Sequence, residues 1–151
     1  MSTTGDFLTL SEFLVGVPFA PPLPSIDALD STLAQTYYDR LVSPANDPPP
    51  ATPMLPTAAQ QMTNLLTAWS QIAAQPAGQW PALFATNIQG NPALWATAQQ
   101  IVLAWYTGVC GNVARTADLY DRTLVWVLAQ AHPMGVPLAF GYWQYAPGAN
   151  P

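Results

Sequence analysis

The sequence has little charge and no lysine. Its three arginines and eight acidic residues leave only 7% of its 151 residues charged, against about 25% in an ordinary soluble domain. From residue 48 to residue 114 it contains no Asp, Glu, Lys or Arg. Charged side chains are a main protection of a protein surface against association. We therefore expect that another chain covers part of this surface.

The same shortage of charge excludes several classes of partner. A net charge of −5 with three scattered arginines provides no basic patch, so nucleic acid and electrostatic binding to an anionic membrane are excluded. No stretch reaches the roughly 18 consecutive apolar residues of a membrane-spanning helix. The longest apolar run, at 101–113, is interrupted by Thr107, Gly108 and Gly111. A direct membrane span is therefore not expected.

The sequence has a single cysteine and no recognisable signal peptide. Cys110 is the only cysteine, which excludes an internal disulfide, and its apolar neighbours favour a buried, inert thiol over a nucleophile. The N-terminus has neither a basic region nor an apolar core, so no signal peptide is predicted. Export would then need a signal that was removed or that another chain carries, and a cytoplasmic location stays open.

Few residues could catalyse a reaction. His132 is the only histidine, and because it precedes a proline at a predicted helix end, a C-terminal capping role is favoured. Asp118 and Asp121 fall in the first turn of the same predicted helix, where the helix dipole stabilises carboxylates without any chemistry. The sequence has no cluster of metal ligands and no glycine-rich phosphate loop. We therefore predict no catalytic, cofactor-binding or metal-binding residue in this chain.

What the sequence does have is helical periodicity and proline. Apolar residues recur at intervals of three and four, no segment alternates like a strand, and half of the residues are hydrophobic. This pattern predicts an all-α fold of about five helices in one domain, residues 1–151. The predicted helices are 6–16 with Asp6 as N-cap, 25–41 with Ser25 as N-cap, 57–73 from Thr57, 91–106 from Asn91, and 116–131; a proline-rich crossing loop at 43–56, a loop at 75–81 and an irregular aromatic tail at 133–151 complete the chain.

The apolar stripes of these helices define the expected core. On the best-defined helix, Ile101 and Trp105 lie one turn apart on one face. Large apolar side chains on such a face are expected to be buried against the other helices. The predicted core residues are Leu10, Leu33, Leu65, Trp69, Trp95, Ile101, Trp105, Leu124 and Leu128.

The C-terminal tail concentrates aromatic residues. Phe140, Tyr142, Trp143 and Tyr145 lie close together in a segment whose glycines and prolines disfavour a helix. Side chains that bury on the order of 150–250 Å² each are not expected to remain in water. The tail either folds back over its own helices or reaches across an interface, where Trp and Tyr are preferred anchors. We predict that these four residues bind a partner.

Three segments resemble a known family. They are residues 7–16 (FLTLSEFLVG), 98–108 (AQQIVLAWYTG) and 138–147 (LAFGYWQYAP). They are similar to the opening helix, a central helix end and the closing aromatic segment of the small, gamma-type subunit of membrane-associated FAD-dependent sugar and polyol dehydrogenases, which act on sorbitol, fructose or glucose. The resemblance implies an accessory subunit that holds no cofactor itself. Its partner would be the catalytic subunit, a flavoprotein of the GMC type that carries the FAD.

The resemblance also implies that the small subunit stabilises the flavoprotein, helps it fold and, where it bears a twin-arginine signal, exports it. A multi-haem cytochrome c subunit would accept the electrons, in a periplasmic or periplasm-facing membrane complex. Two features depart from the family pattern. This chain shows no twin-arginine leader, and residues 134–138 contain no cysteine that could bridge to the catalytic subunit.

A second hypothesis comes from the residues alone. Trp69, Trp95 and Trp105 could line a small apolar pocket in a stand-alone helical binding protein. The behaviour of the isolated chain separates the two hypotheses, because a subunit is stabilised by its partner, whereas a binding protein is stable as a monomer.

Overall fold

Helices make up most of the computed structural model, which describes residues 3–16, 19–20, 29–49, 55–114, 116, 119 and 123–125. The all-α fold class predicted from the sequence is confirmed, and the described helices pack around one hydrophobic core. Two extended segments form a short parallel pair. In chain order the elements are α1 (Thr3–Val15), β1 (Phe19–Ala20), β2 (Leu29–Asp30), α2 (Ala34–Leu41), α3 (Ala58–Ala73), α4 (Trp80–Phe84) and α5 (Pro92–Thr107).

The two longest helices, α3 and α5, begin where the sequence predicts. The side chain of Thr57 accepts a hydrogen bond from the N–H of Gln60, and the side chain of Gln60 accepts one from the N–H of Thr57, which makes a capping box. Asn91 caps α5 by accepting bonds from N–H groups of the first turn, and Pro92 is the first helical residue. Gly108, with a φ of 70°, ends α5. These local signals position both helices, which pack against each other.

Helix α1 begins earlier than predicted. Its first residue is Thr3, so Asp6 is not the N-cap. The carboxylate of Asp6 lies in the first turn instead, where it faces the same helix dipole that a cap would face. The predicted end is confirmed, since Gly16, with a φ of 73°, donates its N–H to the carbonyl of Glu12 at 2.8 Å.

Helix α2 is shorter than the predicted helix 25–41. Leu29–Asp30 are extended and pair with Phe19–Ala20, and the pairing removes them from the helix. A 3-10 turn at Ser31–Leu33 then leads into α2. The predicted cap Ser25 lies outside the described residues.

Helix α4 lies where the sequence predicts a loop. A 3-10 turn at Ala77–Gln79 precedes it, and one turn of π-helix at Ala85–Gln89 follows it. The loop predicted at 75–81 is therefore wrong beyond residue 76. Pro81 is tolerated because it lies in the first helical turn, where its missing N–H breaks no bond. Phe84, at the end of α4, is buried and holds the helix against the core.

Each of the five α-helices contributes buried side chains to the core. Trp95 is an exception among the predicted core residues, because it lies at the edge of the core face of α5 and is only half-buried. Leu128 lies outside the described residues. The other predicted core residues are buried, namely Leu10, Leu33, Leu65, Trp69, Ile101, Trp105 and Leu124.

Three predicted segments lie partly or wholly outside the described residues. In the helix predicted at 116–131, Leu119 and the pair at 124–125 have helical backbone, but Thr116 and Thr123 do not, so the prediction of one continuous helix is wrong at these two residues. The crossing loop predicted at 43–56 contains a 3-10 turn at Pro44–Asn46, and its residues 50–54 are not described. The whole of the predicted tail, 133–151, lies outside.

Candidate partner interface

Aromatic rings of α1, α3 and α4 meet in one cluster. The ring centroid of Phe13 lies 5.0 Å from those of both Trp69 and Phe84, and the ring of Trp80 lies 5.4 Å from that of Trp69. The pairs are tilted or edge-to-face, as aromatic pairs prefer. The cluster extends to α5, since Phe84 lies 6.2 Å from Trp95. Two of the five rings, Trp69 and Phe84, are buried and the others are partly exposed, so the cluster reaches from the core to the surface.

Hydrogen bonds hold two of these rings in place. The indole N–H of Trp69 donates to the hydroxyl of Thr9 at 3.0 Å, and the indole N–H of Trp80 donates to the carbonyl of Gln75 at 2.8 Å. Buried tryptophan needs such a partner, because an unpaired N–H away from water is costly. These bonds fix the orientation of the buried Trp69 and of the partly exposed Trp80.

A second apolar face of α5 turns from the core towards solvent. Trp95, Val102 and Tyr106 are seven and four residues apart, so they lie on one stripe of the helix, beside Leu103. The first three are partly exposed, and 39% of the surface of Leu103 is exposed. Gln99 lies in the middle of the stripe, one turn from both Trp95 and Leu103. We refer to these five residues as the α5 outer face.

The three later helices, α3, α4 and α5, carry no charged side chain. Their exposed positions are occupied mostly by Ala, Gln, Asn, Thr and Ser. The shortage of charge noted in the sequence therefore falls on one part of the surface. The charged side chains that the structure describes belong to α1, to α2 and to the turn after α2, namely Asp6, Glu12, Asp39, Arg40 and Asp47.

Asn46 joins the end of α2 to the turn that follows α5. Its side-chain nitrogen donates to the carbonyls of Arg40, at 2.9 Å, and Cys110, at 3.2 Å. Its side-chain oxygen accepts from the backbone N–H of Asn112 at 2.6 Å. Gly111, with a φ of 60°, lies against this oxygen, and a side chain there would collide with it. We refer to this arrangement as the Asn46 clamp; it fixes the path by which the chain leaves α5.

Two charged side chains add to this connection. The guanidinium of Arg40 donates to the carbonyl of Ala114 at 2.8 Å and to the hydroxyl of Thr116 at 3.2 Å. The carboxylate of Asp47 accepts from the N–H of Ala58 at 2.8 Å, at the positive end of the α3 dipole. Arg40 and Asp47 therefore hold backbone of this chain. Sequence reasoning missed both contacts. A local signal between the two residues is the pair Ser43-Pro44, which is a recognisable start of a helical turn but does not indicate either contact.

A cavity of about 310 Å³ opens beside the Asn46 clamp, between α3 and α5. Its walls are uncharged and half polar, with side-chain amides among small or flexible apolar groups. Trp69, Trp95 and Trp105 do not line it; Trp69 and Trp105 are buried, and Trp105 packs edge-to-face on Tyr37 at 4.7 Å. The stand-alone binding hypothesis placed these three tryptophans around an apolar pocket, and this cavity is not that pocket. The lining residues are Leu41, Asn46, Ala58, Gln61, Met62, Ala96, Thr97, Gln100, Gly111 and Asn112.

Cys110 is buried in the turn after α5, with 1% of its surface exposed. Burial raises the pKa of its thiol from 9.0 to about 11, and the nearby positive charge of Arg40 offsets part of that rise. Almost no thiolate therefore exists at neutral pH, and the thiolate is the reactive form. The predicted burial of Cys110 is confirmed, and the raised pKa of the thiol disfavours a nucleophilic role.

Several residues singled out in the sequence lie outside the described part of the chain. Within that part, no group of three or more His, Cys, Asp or Glu side chains could hold a metal ion. The described helices also include none that is long and apolar enough to cross a bilayer. The residues that lie outside are the predicted partner-binding residues Phe140, Tyr142, Trp143 and Tyr145, together with Asp118, Asp121 and His132.

Comparison with known proteins adds information on nearly the whole chain. The sequence model of a family described as membrane-bound FAD-containing D-sorbitol dehydrogenase matches residues 2–144. No curated protein and no solved structure matches the chain significantly.

Proposed function

The chain belongs to the family described as membrane-bound FAD-containing D-sorbitol dehydrogenase, and we propose that it is a non-catalytic accessory subunit of such a dehydrogenase complex. The family match over residues 2–144 carries this proposal. It also confirms the resemblance indicated by residues 7–16, 98–108 and 138–147. In this proposal the chain binds and stabilises a catalytic subunit of the GMC type, and that subunit holds the FAD.

The surface of the chain supports a role in an assembly. The outward sides of α3, α4 and α5 have no charged side chain, and single-domain proteins in solution usually rely on such charges to stay apart. Aromatic residues of the cluster around Phe13 and of the α5 outer face remain partly exposed. Aromatic side chains are enriched at protein–protein contacts. A partner chain would remove these groups from water.

The wider assembly follows from the family resemblance. We propose that the complex lies on the periplasmic side of a membrane, that a multi-haem cytochrome c subunit accepts electrons from the flavin, and that this chain helps the catalytic subunit to fold or to be exported. The aromatic tail contributes a contact of its own in this proposal, through Phe140, Tyr142, Trp143 and Tyr145.

Co-expression tests the proposal directly. A tagged form of this chain is produced with and without the FAD-containing catalytic subunit of the complex, and the purified material is examined by absorbance and gel electrophoresis. The expected result is that the catalytic subunit co-purifies, carrying a flavin absorbance band. In a parallel culture, the catalytic subunit is expressed without this chain. The amount of soluble, flavin-loaded catalytic subunit should then fall several-fold, because a bound partner stabilises the folded state.

Two results would contradict the proposal. A flavin band or dehydrogenase activity in the chain purified alone would assign the cofactor or the chemistry to this chain. Failure of the catalytic subunit to co-purify with a correctly folded chain, checked by circular dichroism, would remove the accessory role.

A further inference from the structure

Apolar residues occupy more of the circumference of α5 than the side that packs against the core. Ala98, Ile101 and Trp105 occupy the core side and are buried. Val102 and Leu103 lie on the adjoining side and do not belong to the described side chains that pack against the core. A helix that is apolar on most of its circumference is normally enclosed on most of its circumference. The described elements enclose α5 on the core side, which leaves the α5 outer face for another occupant.

The residue types of this face are those of an interface. Trp95 and Tyr106 pack against the core but remain partly exposed. No hydrogen bond to the indole N–H of Trp95 or to the hydroxyl of Tyr106 is found among the described residues, in contrast to the indoles of Trp69 and Trp80. Such amphipathic rings combine a large apolar area with one polar group that can bind a partner, which is why they dominate interface hot spots.

The absence of charge restricts the chemistry of the occupant. No Asp, Glu, Lys or Arg lies between residue 48 and residue 114, so this face offers no counter-ion. A charged partner side chain buried here would stay unpaired, which strongly disfavours the complex. The occupant must therefore present apolar and uncharged polar groups. A second copy of this chain is disfavoured, because each copy carries a net charge of −5 and the two would repel.

We infer that the α5 outer face, formed by Trp95, Gln99, Val102, Leu103 and Tyr106, is a docking surface for the FAD-containing catalytic subunit, which contacts it with an uncharged apolar strip. This inference rests on the proposed function and adds the place of contact within the described part of the chain. Trp95 and Tyr106 are the anchors, and Leu103 fills the space beside them.

The test places one negative charge in the middle of the face without changing side-chain shape. Gln99 is exposed, so Gln99→Glu leaves the core untouched, and a carboxylate there would be buried without a partner in the complex. Gln71→Glu is the matched control, because Gln71 is also an exposed glutamine and belongs to α3 rather than to α5. A second pair, Leu103→Glu with Leu55→Glu, compares two exposed leucines, of which only Leu103 lies on the face.

Each variant is measured by retention of the catalytic subunit on the tagged chain and by thermal melting of the chain alone. We expect Gln99→Glu and Leu103→Glu to weaken retention by at least about 30-fold, as truncation of a hot spot does, while both controls retain the subunit like the wild type. The melting temperature of the free chain should stay near that of the wild type for all four variants.

Other results overturn the inference in separate ways. Normal retention by Gln99→Glu and Leu103→Glu would place the contact elsewhere and leave the proposed function intact. If the free Gln99→Glu chain melts at a lower temperature than the wild type while the Gln71→Glu control does not, another segment of this chain covers the face. A wild-type dimer that either variant converts to a monomer would assign the face to a second copy. If the wild-type chain itself does not retain the catalytic subunit, the proposed function is wrong.

Discussion

Cys110 illustrates how burial controls the chemistry of a single side chain. The folded chain keeps its thiol protonated up to a pKa of about 11, whereas the thiol of the unfolded chain ionises near its ordinary value of 9.0. Ionisation of the unfolded chain stabilises that state, so the contribution of Cys110 to the free energy of unfolding should be constant well below pH 9 and fall by about 2–3 kcal/mol as the pH rises to 11.

Urea unfolding at a series of pH values checks this effect, with Cys110→Ala as the reference that lacks the thiol. Only the difference between the two proteins is interpreted, because tyrosines also ionise in this range. Parallel stability curves for wild type and Cys110→Ala from pH 8 to 11 would show that the thiol is not desolvated.

Trp105 tests the core. It is 2% exposed and packs edge-to-face on Tyr37, with ring centroids 4.7 Å apart. Replacement by Ala should lower the free energy of unfolding by about 3–5 kcal/mol, because it removes a large buried group and leaves a cavity. Leu103→Ala, on the same helix and 39% exposed, should cost well under half of that loss. Equal effects of the two substitutions in urea unfolding would contradict this assignment of the two faces of α5.

At the scale of elements, the Asn46 clamp should be the main link between α2 and the turn after α5. Asn46→Ala removes the partner of the Cys110 carbonyl and of the Asn112 N–H, and we expect a loss of about 1–3 kcal/mol. Asn46→Asp keeps an oxygen for the Asn112 N–H but sets a carboxylate against carbonyls, so it should be at least as destabilising. Asn64→Ala, at an exposed position of α3, is the control and should not lower the free energy of unfolding. Equal losses of stability in Asn46→Ala and Asn64→Ala would show that the clamp contributes nothing.

Local signals in the sequence were sufficient for α3 and α5. The Thr57 capping box, the Asn91-Pro92 start and the left-handed Gly108 are all decided within one helical turn, so the sequence shows them directly. The same holds for the buried stripe of α5, whose spacing gives Ile101 and Trp105 without any tertiary information.

The errors have a common physical cause, which is contact between distant segments. Leu29 leaves the predicted second helix because it pairs with Phe19, and no local pattern encodes that pairing. Helix α4 was missed because it is short and is surrounded by Gly and Pro, and its burial through Phe84 depends on α1 and α3. The Asn46 clamp joins residues more than sixty positions apart, in a segment whose prolines predict only a loop.

At the scale of the whole molecule, the aromatic tail is predicted to act with the α5 outer face rather than as core. Trp143→Ala should weaken retention of the catalytic subunit by roughly 30- to 1000-fold, while the melting temperature of the free chain changes little. Gln144→Ala, the adjacent polar substitution, is the control and should leave both measurements unchanged. Lost folding with normal retention would mean that the tail belongs to the core of this chain.

The uncharged surface of α3, α4 and α5 also has a kinetic consequence. Opposite charges steer proteins together at up to about 10⁸–10⁹ M⁻¹s⁻¹, whereas unsteered pairs associate at roughly 10⁵–10⁶ M⁻¹s⁻¹. A partner that docks on this surface should therefore associate slowly, at a rate almost independent of ionic strength, and a tight complex must owe its affinity to slow dissociation. Slow encounter favours chains that are synthesised side by side, so assembly should be far more efficient on co-expression than on mixing dilute purified subunits.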